Sequence, residues 1–134
     1  MNKYGIIAAI IAVALCALFA ASSCANNNKK KSNVQTMNRY EVILLNSSAS
    51  ADGVKKASFE PQGVCSTRID IEVKGDVIQS VKFTNGCPGN THGVANLVVG
   101  MKVEEAIRRL EGIDCGGKGT SCPDQLAKAL KYFL

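Results

Sequence analysis

Tryptophan is absent from this sequence, and Phe, Trp and Tyr together make up 5% of it. So few rings argue for a thin core. Histidine occurs once, at His92. It follows Cys87 by five residues and reads as a surface or packing residue, with metal ligand or proton carrier as the alternative. No C-x-x-C pair occurs, so the commonest local signature of a zinc or redox site is missing. No internal repeat is visible. An excess of one charge is missing where it would matter: residues 57–134 hold nine Lys and Arg against nine Asp and Glu. The chain's net charge of +5 comes from outside that stretch, in Lys29-Lys30-Lys31, Arg39 and Lys55-Lys56. A neutral domain is a poor footprint for nucleic acid, so direct DNA or RNA binding is not expected.

The chain of 134 residues is long enough for one domain. Residues 1–23 have the parts of a secretory signal: Lys3 at the start, an apolar run over residues 5–21, and the small run Ala21-Ser22-Ser23 before Cys24. A cysteine directly after such a run points to a lipoprotein, cut before Cys24 and lipidated on its thiol. Ala21 departs from that pattern, which usually has a larger aliphatic residue there. The alternatives are an uncleaved membrane anchor, a plain signal, or a misassigned start with translation from Met37 and a cytoplasmic product. Residues 24–56 are rich in Asn, Ser and Lys and read as a flexible tether. Within them, Tyr40-Glu41-Val42-Ile43-Leu44-Leu45 reads either as a short added strand or as an apolar patch of linker.

The folded domain is placed at residues 57–134 and is expected to fold without what precedes it. Ile69, Ile71 and Val73 alternate with Arg68, Asp70, Glu72 and Lys74, as in a half-buried strand. Gly75-Asp76 marks a turn, and the next stretch puts Val81 and Phe83 inward, completing a hairpin. A third short strand is expected around Ser58 to Glu60. The period then changes. Val94, Leu97 and Val98 suit one helix, Val103, Ala106, Ile107 and Leu110 a second, and Leu126, Ala129, Leu130 and Phe133 a third. Gly100 and Gly112 stand where helices end. The expected fold class is α+β, a small antiparallel three-stranded sheet followed by three helices packed on one face.

With Cys16 and Cys24 in the leader region, four cysteines remain: Cys65, Cys87, Cys115 and Cys122. Cys65 precedes the first long strand. Cys87 and Cys122 are each followed by proline and open a predicted helix, because proline is favoured at the first helical position. There the helix dipole and free backbone N–H groups favour a thiolate. Cys115 lies in a loop that Gly116, Gly117 and Gly119 let turn back. All four thiols thus fall in loops or at helix starts, outside the apolar stripes. Four thiolates suit tetrahedral zinc, and three or four can hold an iron–sulfur cluster. If zinc is shared, Cys65, Cys87 and Cys122 are expected to reach one point at about 2.3 Å. Two disulfides remain the alternative, above all for an exported domain. Residues 112–118 match the start of a phosphate-binding loop, but Gly119 stands where Ser or Thr is required and a helix precedes it, so that reading is rejected.

Thr120-Ser121-Cys122-Pro123-Asp124 spells the motif after which the TSCPD family is named. Pro61-Gln62-Gly63-Val64-Cys65, Asn85-Gly86-Cys87-Pro88-Gly89-Asn90 and Gly100-Met101-Lys102-Val103-Glu104-Glu105-Ala106 extend the likeness over nearly all of residues 58–131. By these residues the chain is identified as a member of that family. The resemblance implies a link to vitamin-B12-dependent ribonucleoside-diphosphate reductases, which carry such domains at their C-terminal end, and hence a reductase or another protein as partner. The reductase's catalytic barrel needs several hundred residues that are not in this sequence, so independent turnover is not expected. A fainter resemblance runs to the iron–sulfur scaffold proteins of the IscU and NifU type, through residues 76–83, Gly86-Cys87, residues 103–106, Cys122 and Leu126-Ala127. It implies an IscU-like fold and three ligands at Cys65, Cys87 and Cys122, with Cys115 extra. Ser66-Thr67 stands where those scaffolds have Gly-Asp, and Ser121 where many have His.

Three functions compete on this reading. The first is a cysteine-rich metal-binding accessory domain for nucleotide reduction, and the second an iron–sulfur scaffold or carrier. The third is a disulfide-stabilised binding module tethered at a membrane by the N-terminal segment. The expected cofactor is zinc or an iron–sulfur cluster.

Overall fold

The computed structural model describes residues 40–134. The expected leader, Cys16, the expected lipidation site Cys24 and residues 24–39 of the expected tether lie outside the described residues. Four strands form one antiparallel sheet in chain order: β1 (Ile43–Ala49), β2 (Val54–Glu60), β3 (Ser66–Lys74) and β4 (Val77–Asn85). Helices α1 (Pro88–Val98), α2 (Val103–Leu110) and α3 (Cys122–Leu130) follow, and a 3-10 turn, Lys131–Phe133, extends α3. The fold class is α+β, as expected. The sheet has four strands where three were expected. The extra strand is β1, which begins inside the apolar stretch after Tyr40 and pairs with β2 from Ile43↔Glu60 to Ala49↔Lys55. Alternation could not reveal it, because every β1 residue is exposed and no buried face imposes a period.

On β3, Ile69, Ile71 and Val73 are fully buried while Lys74 is exposed. On β4 the buried residues are Ile78, Val81 and Phe83, which are not in one alternation phase. The register explains it. Glu72 faces Ser80 but Val73 faces Ile78, so Gln79 is an extra residue that shifts the phase by one. A second shift lies at the other end of the pair, where Ser66 faces Asn85 and Arg68 faces Thr84. Thr67 is left over, and Ser66 turns inward with the apolar residues.

The helices cover one face of the sheet. Ala95 and Val98 of α1, Val103, Ala106 and Ile107 of α2, and Leu126, Ala129 and Leu130 of α3 complete the core. The outer edge of β4 is partly covered by the α1–α2 connection, where Ile78 exchanges backbone hydrogen bonds with Met101 and Gly100 at 2.9 and 2.8 Å. Gly100 and Gly112 both have positive φ just past their helices, as their placement predicted.

Tyr40, ahead of β1, ties the N-terminal end to the core. Its carbonyl accepts hydrogen bonds from Gln125 Nε2 and Lys128 Nζ, both at 3.0 Å. Its ring lies against Gly63, where a Cβ would come within 2.6 Å of the ring carbon Cδ1. Cutting the chain to residues 57–134 therefore removes β1, part of β2 and the acceptor that serves two largely buried donors. Gln125 Nε2 keeps Thr120 Oγ1 and Lys128 Nζ keeps Asp124, so each loses one hydrogen bond, worth about 0.5–1.5 kcal/mol, in addition to the lost strand pairing. Thermal unfolding of residues 57–134 is expected to fall about 10 °C or more below that of residues 40–134. Equal melting temperatures would show that β1 and Tyr40 contribute nothing.

Candidate thiol site

Three connections deliver the four cysteines. Cys65 ends the β2–β3 loop, after Gly63 with φ +73. Asn85 and Gly86 are both left-handed, with φ of 63 and 92, and this double turn swings the chain from β4 into α1. Cys87 is the N-cap of α1 and Pro88 follows in its first turn. A Cβ on Gly86 would lie 3.1 Å from the Thr91 methyl and 3.4 Å from Ser66 N, so glycine serves both conformation and clearance. Cys122 is the first residue of α3, one position past the N-cap Ser121. The expected helix starts at both Cys-Pro pairs are present.

Cys115 comes from the α2–α3 loop, where Gly112, Gly116, Gly117 and Gly119 all have positive φ. Asp114 organises this loop by accepting from Gly117 N and Gly119 N, each at 2.6 Å. Cys115 N–H bonds back to the Thr120 carbonyl at 3.1 Å. Two amides that a phosphate would need are therefore already filled by the loop's own carboxylate, a physical reason for the failed phosphate-loop likeness.

All four thiols line one cavity of about 210 Å³. Val64, Ile113 and Pro123 give it apolar walls, and Asn90, Asp114, Lys118 and Ser121 supply polar groups. The four cysteines are unbridged, with Cys65, Cys87 and Cys115 exposed and Cys122 buried. None of them stands on the opposite side of the domain. Among the described residues, however, no three His, Cys, Asp or Glu side chains are in an arrangement that holds one ion. Cys65, Cys87 and Cys122 line this cavity together with Cys115. His92 is exposed and does not line the cavity.

The start of α3 rests on a buried polar network. Ser121 Oγ accepts from Asp124 N at 3.1 Å, capping the helix. The Asp124 carboxylate accepts from Thr120 Oγ1 and Gly112 N, both at 2.8 Å, and pairs with Lys128 Nζ at 2.9 Å. Gln125 donates to Thr120 Oγ1 at 3.0 Å and accepts from Gln62 N at 2.8 Å. Among the described residues no buried side-chain polar atom lacks a partner. Thr120, Ser121 and Asp124 thus hold the helix start in place, and Cys122 is presented to the cavity between them.

The family model of the TSCPD domain matches residues 39–134. The chain belongs to the TSCPD domain family. Neither a curated relative nor a solved structure matches it, and the IscU-like detail of the expected fold has no support beyond the shared α+β layout.

Several residues of the TSCPD site were not singled out from sequence. Ser66 reaches the interior only through the bulge at Thr67, and its hydroxyl lies 3.3 Å from Cys122 Sγ. Lys118 and Asn90 face the cavity from loop and helix positions that carry no periodic signal. Lys128 sits on a helix in an i, i+4 relation to Asp124, a spacing that could have flagged the pair.

Burial by itself pushes the Asp124 carboxyl up, but the Lys128 ammonium, the Gly112 N–H and the Thr120 hydroxyl outweigh it and hold the carboxyl below its ordinary value of 3.8. Its contribution to stability is therefore full above that unfolded value and is lost as pH falls through the lower folded one. Asp124→Asn is expected to cost about 3–5 kcal/mol at neutral pH, since it leaves Lys128 buried without its counter-charge. The variant should also lose less stability than the parent between neutral pH and the acid limb. Chemical denaturation across that range measures both, and parallel pH profiles would remove Asp124 as the source.

Proposed function

We propose that this TSCPD domain is a cysteine-rich accessory domain whose thiols hold a soft metal ion, zinc foremost, in the service of a ribonucleotide-reducing partner. One observation carries the metal reading. Four cysteines separated by up to 57 positions, from three different connections, open onto a single cavity. Four sulfurs with apolar walls behind them match the donor preference of zinc and of other thiophilic ions. Three of the four thiols are exposed and can turn about χ1, whereas Cys122 is fixed at a helix start. When bound, the metal would supply a cross-link between the sheet side of the site, through Cys65 and Cys87, and the helical side, through Cys115 and Cys122. The reductase link rests on family membership.

The N-terminal reading belongs to the same proposal as a separate part. Cleavage before Cys24 and lipidation of its thiol would hold the domain at a membrane surface, and the mass of the mature N-terminus tests it. An intact N-terminus or a start at Met37 would refute it. Among the described residues no helix is long and apolar enough to cross a membrane.

The decisive measurement is metal analysis with free-thiol counting on protein purified without oxygen. About one equivalent of zinc with the four domain thiols protected is the expected result. Visible sulfur-to-iron absorption after anaerobic reconstitution would favour the iron–sulfur carrier instead. A chelator is expected to lower the melting temperature while a mild reductant leaves it unchanged, and Cys122→Ser should remove the chelator effect by removing a ligand. Sensitivity to reductant alone would assign the thiols to disulfides. Indifference to both would refute the proposal.

A further inference from the structure

Strand β1 lies at the edge of the sheet: it pairs with β2 on one side and, among the described residues, with no strand on the other. Alternate residues of such a strand turn their N–H and C=O groups away from the sheet, open to a further strand. Charged side chains, lysine above all, are the usual protection of an exposed edge. In this sheet the charges stand elsewhere. Three charged residues are on β2, four on β3 and one on β4, and none is on Ile43–Ala49. The edge strand has no proline either, and it opens with Ile43, Leu44 and Leu45, which are 51%, 43% and 46% exposed. A bulge at Leu45 interrupts its ladder with β2. The bulge shortens the ladder a further strand can make but supplies no charge to repel one. The opposite edge is treated differently. There Ile78 of β4 is bonded to Met101 and Gly100 of the α1–α2 connection, so the open edge of each chain is β1.

We propose that β1 is a self-association edge: it pairs antiparallel with β1 of a second copy, joining two four-stranded sheets into one continuous sheet. A second copy fits this edge on three counts. It brings an uncharged strand of equal length, so no like charges are set opposite one another. A two-fold axis near Leu44 sets Ile43 of each copy opposite Leu45 of the other, and the two exposed apolar triplets meet along one seam. Burial of that seam supplies a driving force that backbone hydrogen bonds, exchanged against water, supply only weakly. Pairing also occupies the open edge of both chains, so it closes at two copies instead of running on into a fibre. The chain's own basic segment is a poorer match. Lys29-Lys30-Lys31 and Arg39 would find no carboxylate on β1. No residue of β1 lines the thiol cavity, so the pairing uses none of its walls.

The test is sedimentation of the full chain over a range of concentrations, in a non-ionic detergent with micelles in large excess to keep the apolar run at residues 5–21 from associating. The parent is expected to pass from monomer to dimer as concentration rises. Ile43→Lys and Leu45→Lys should each weaken the dimer about tenfold or more. The two lysines together should leave a monomer, because lysine then faces lysine on both sides of the axis. Ile43→Lys combined with Leu45→Glu should restore the dimer, because each lysine then faces a glutamate of the other copy. Both positions are exposed, and the melting curve of each variant checks that its fold is kept. Amide hydrogen exchange of the parent gives a second measure that needs no variant: protection of residues 43–49 should rise with protein concentration. A parent that stays monomeric would overturn the proposal, as would association indifferent to the lysine pair, which would place the contact on another surface. Equal loss in the two double variants would overturn the two-fold axis near Leu44.

Discussion

The Asp124–Lys128 ion pair is the contact on which most of this domain's functional geometry hangs. It is buried, and a buried pair is stable only when its remaining lone pairs and protons are also satisfied. The chain meets that demand by bringing Thr120 from the end of one loop, Gly112 from its beginning, and the Tyr40 carbonyl from ahead of β1. The result fixes both ends of the α2–α3 loop and the first turn of α3 at once. Cys115 and Cys122, the two cysteines of that segment, are located by the same set of bonds. The partner cysteines are located differently, by left-handed turns: Gly63 ahead of Cys65, and Asn85-Gly86 ahead of Cys87.

This division of labour gives the TSCPD motif a physical meaning. Thr120, Ser121 and Asp124 satisfy one another and the helix start, Pro123 presets the first turn, and Cys122 alone brings soft-ligand chemistry. Four of the five residues serve the presentation of the fifth. A buried polar network of this kind is worth having only if complete, since one missing partner leaves a desolvated charge. The motif therefore behaves as a unit, and substitutions within it fall on position as well as on chemistry.

The cavity also combines a rigid part with an adjustable one. Cys122 is buried and bonded to Ser66, whereas Cys65, Cys87 and Cys115 are exposed. Cys115 rides on a loop with four left-handed glycines, held chiefly by the Asp114 carboxylate.

By itself the sequence determined the layers of the fold and the positions of the thiols. The hairpin and the three helices were legible because each buries one face, which writes a period of two or 3.6 into the chain. The cysteines stood out because they fell at helix starts and turns rather than inside those periods. Three things were decided only in three dimensions. Strand β1 buries no face and so leaves no period. The bulges at Thr67 and Gln79 reverse the phase of a strand, and whether a residue is extra depends on its partner strand rather than on its own neighbours. The gathering of four distant sulfurs at one cavity, with Ser66 and Lys118 beside them, depends on how sheet and helices pack, and the order of residues along the chain does not encode that separately.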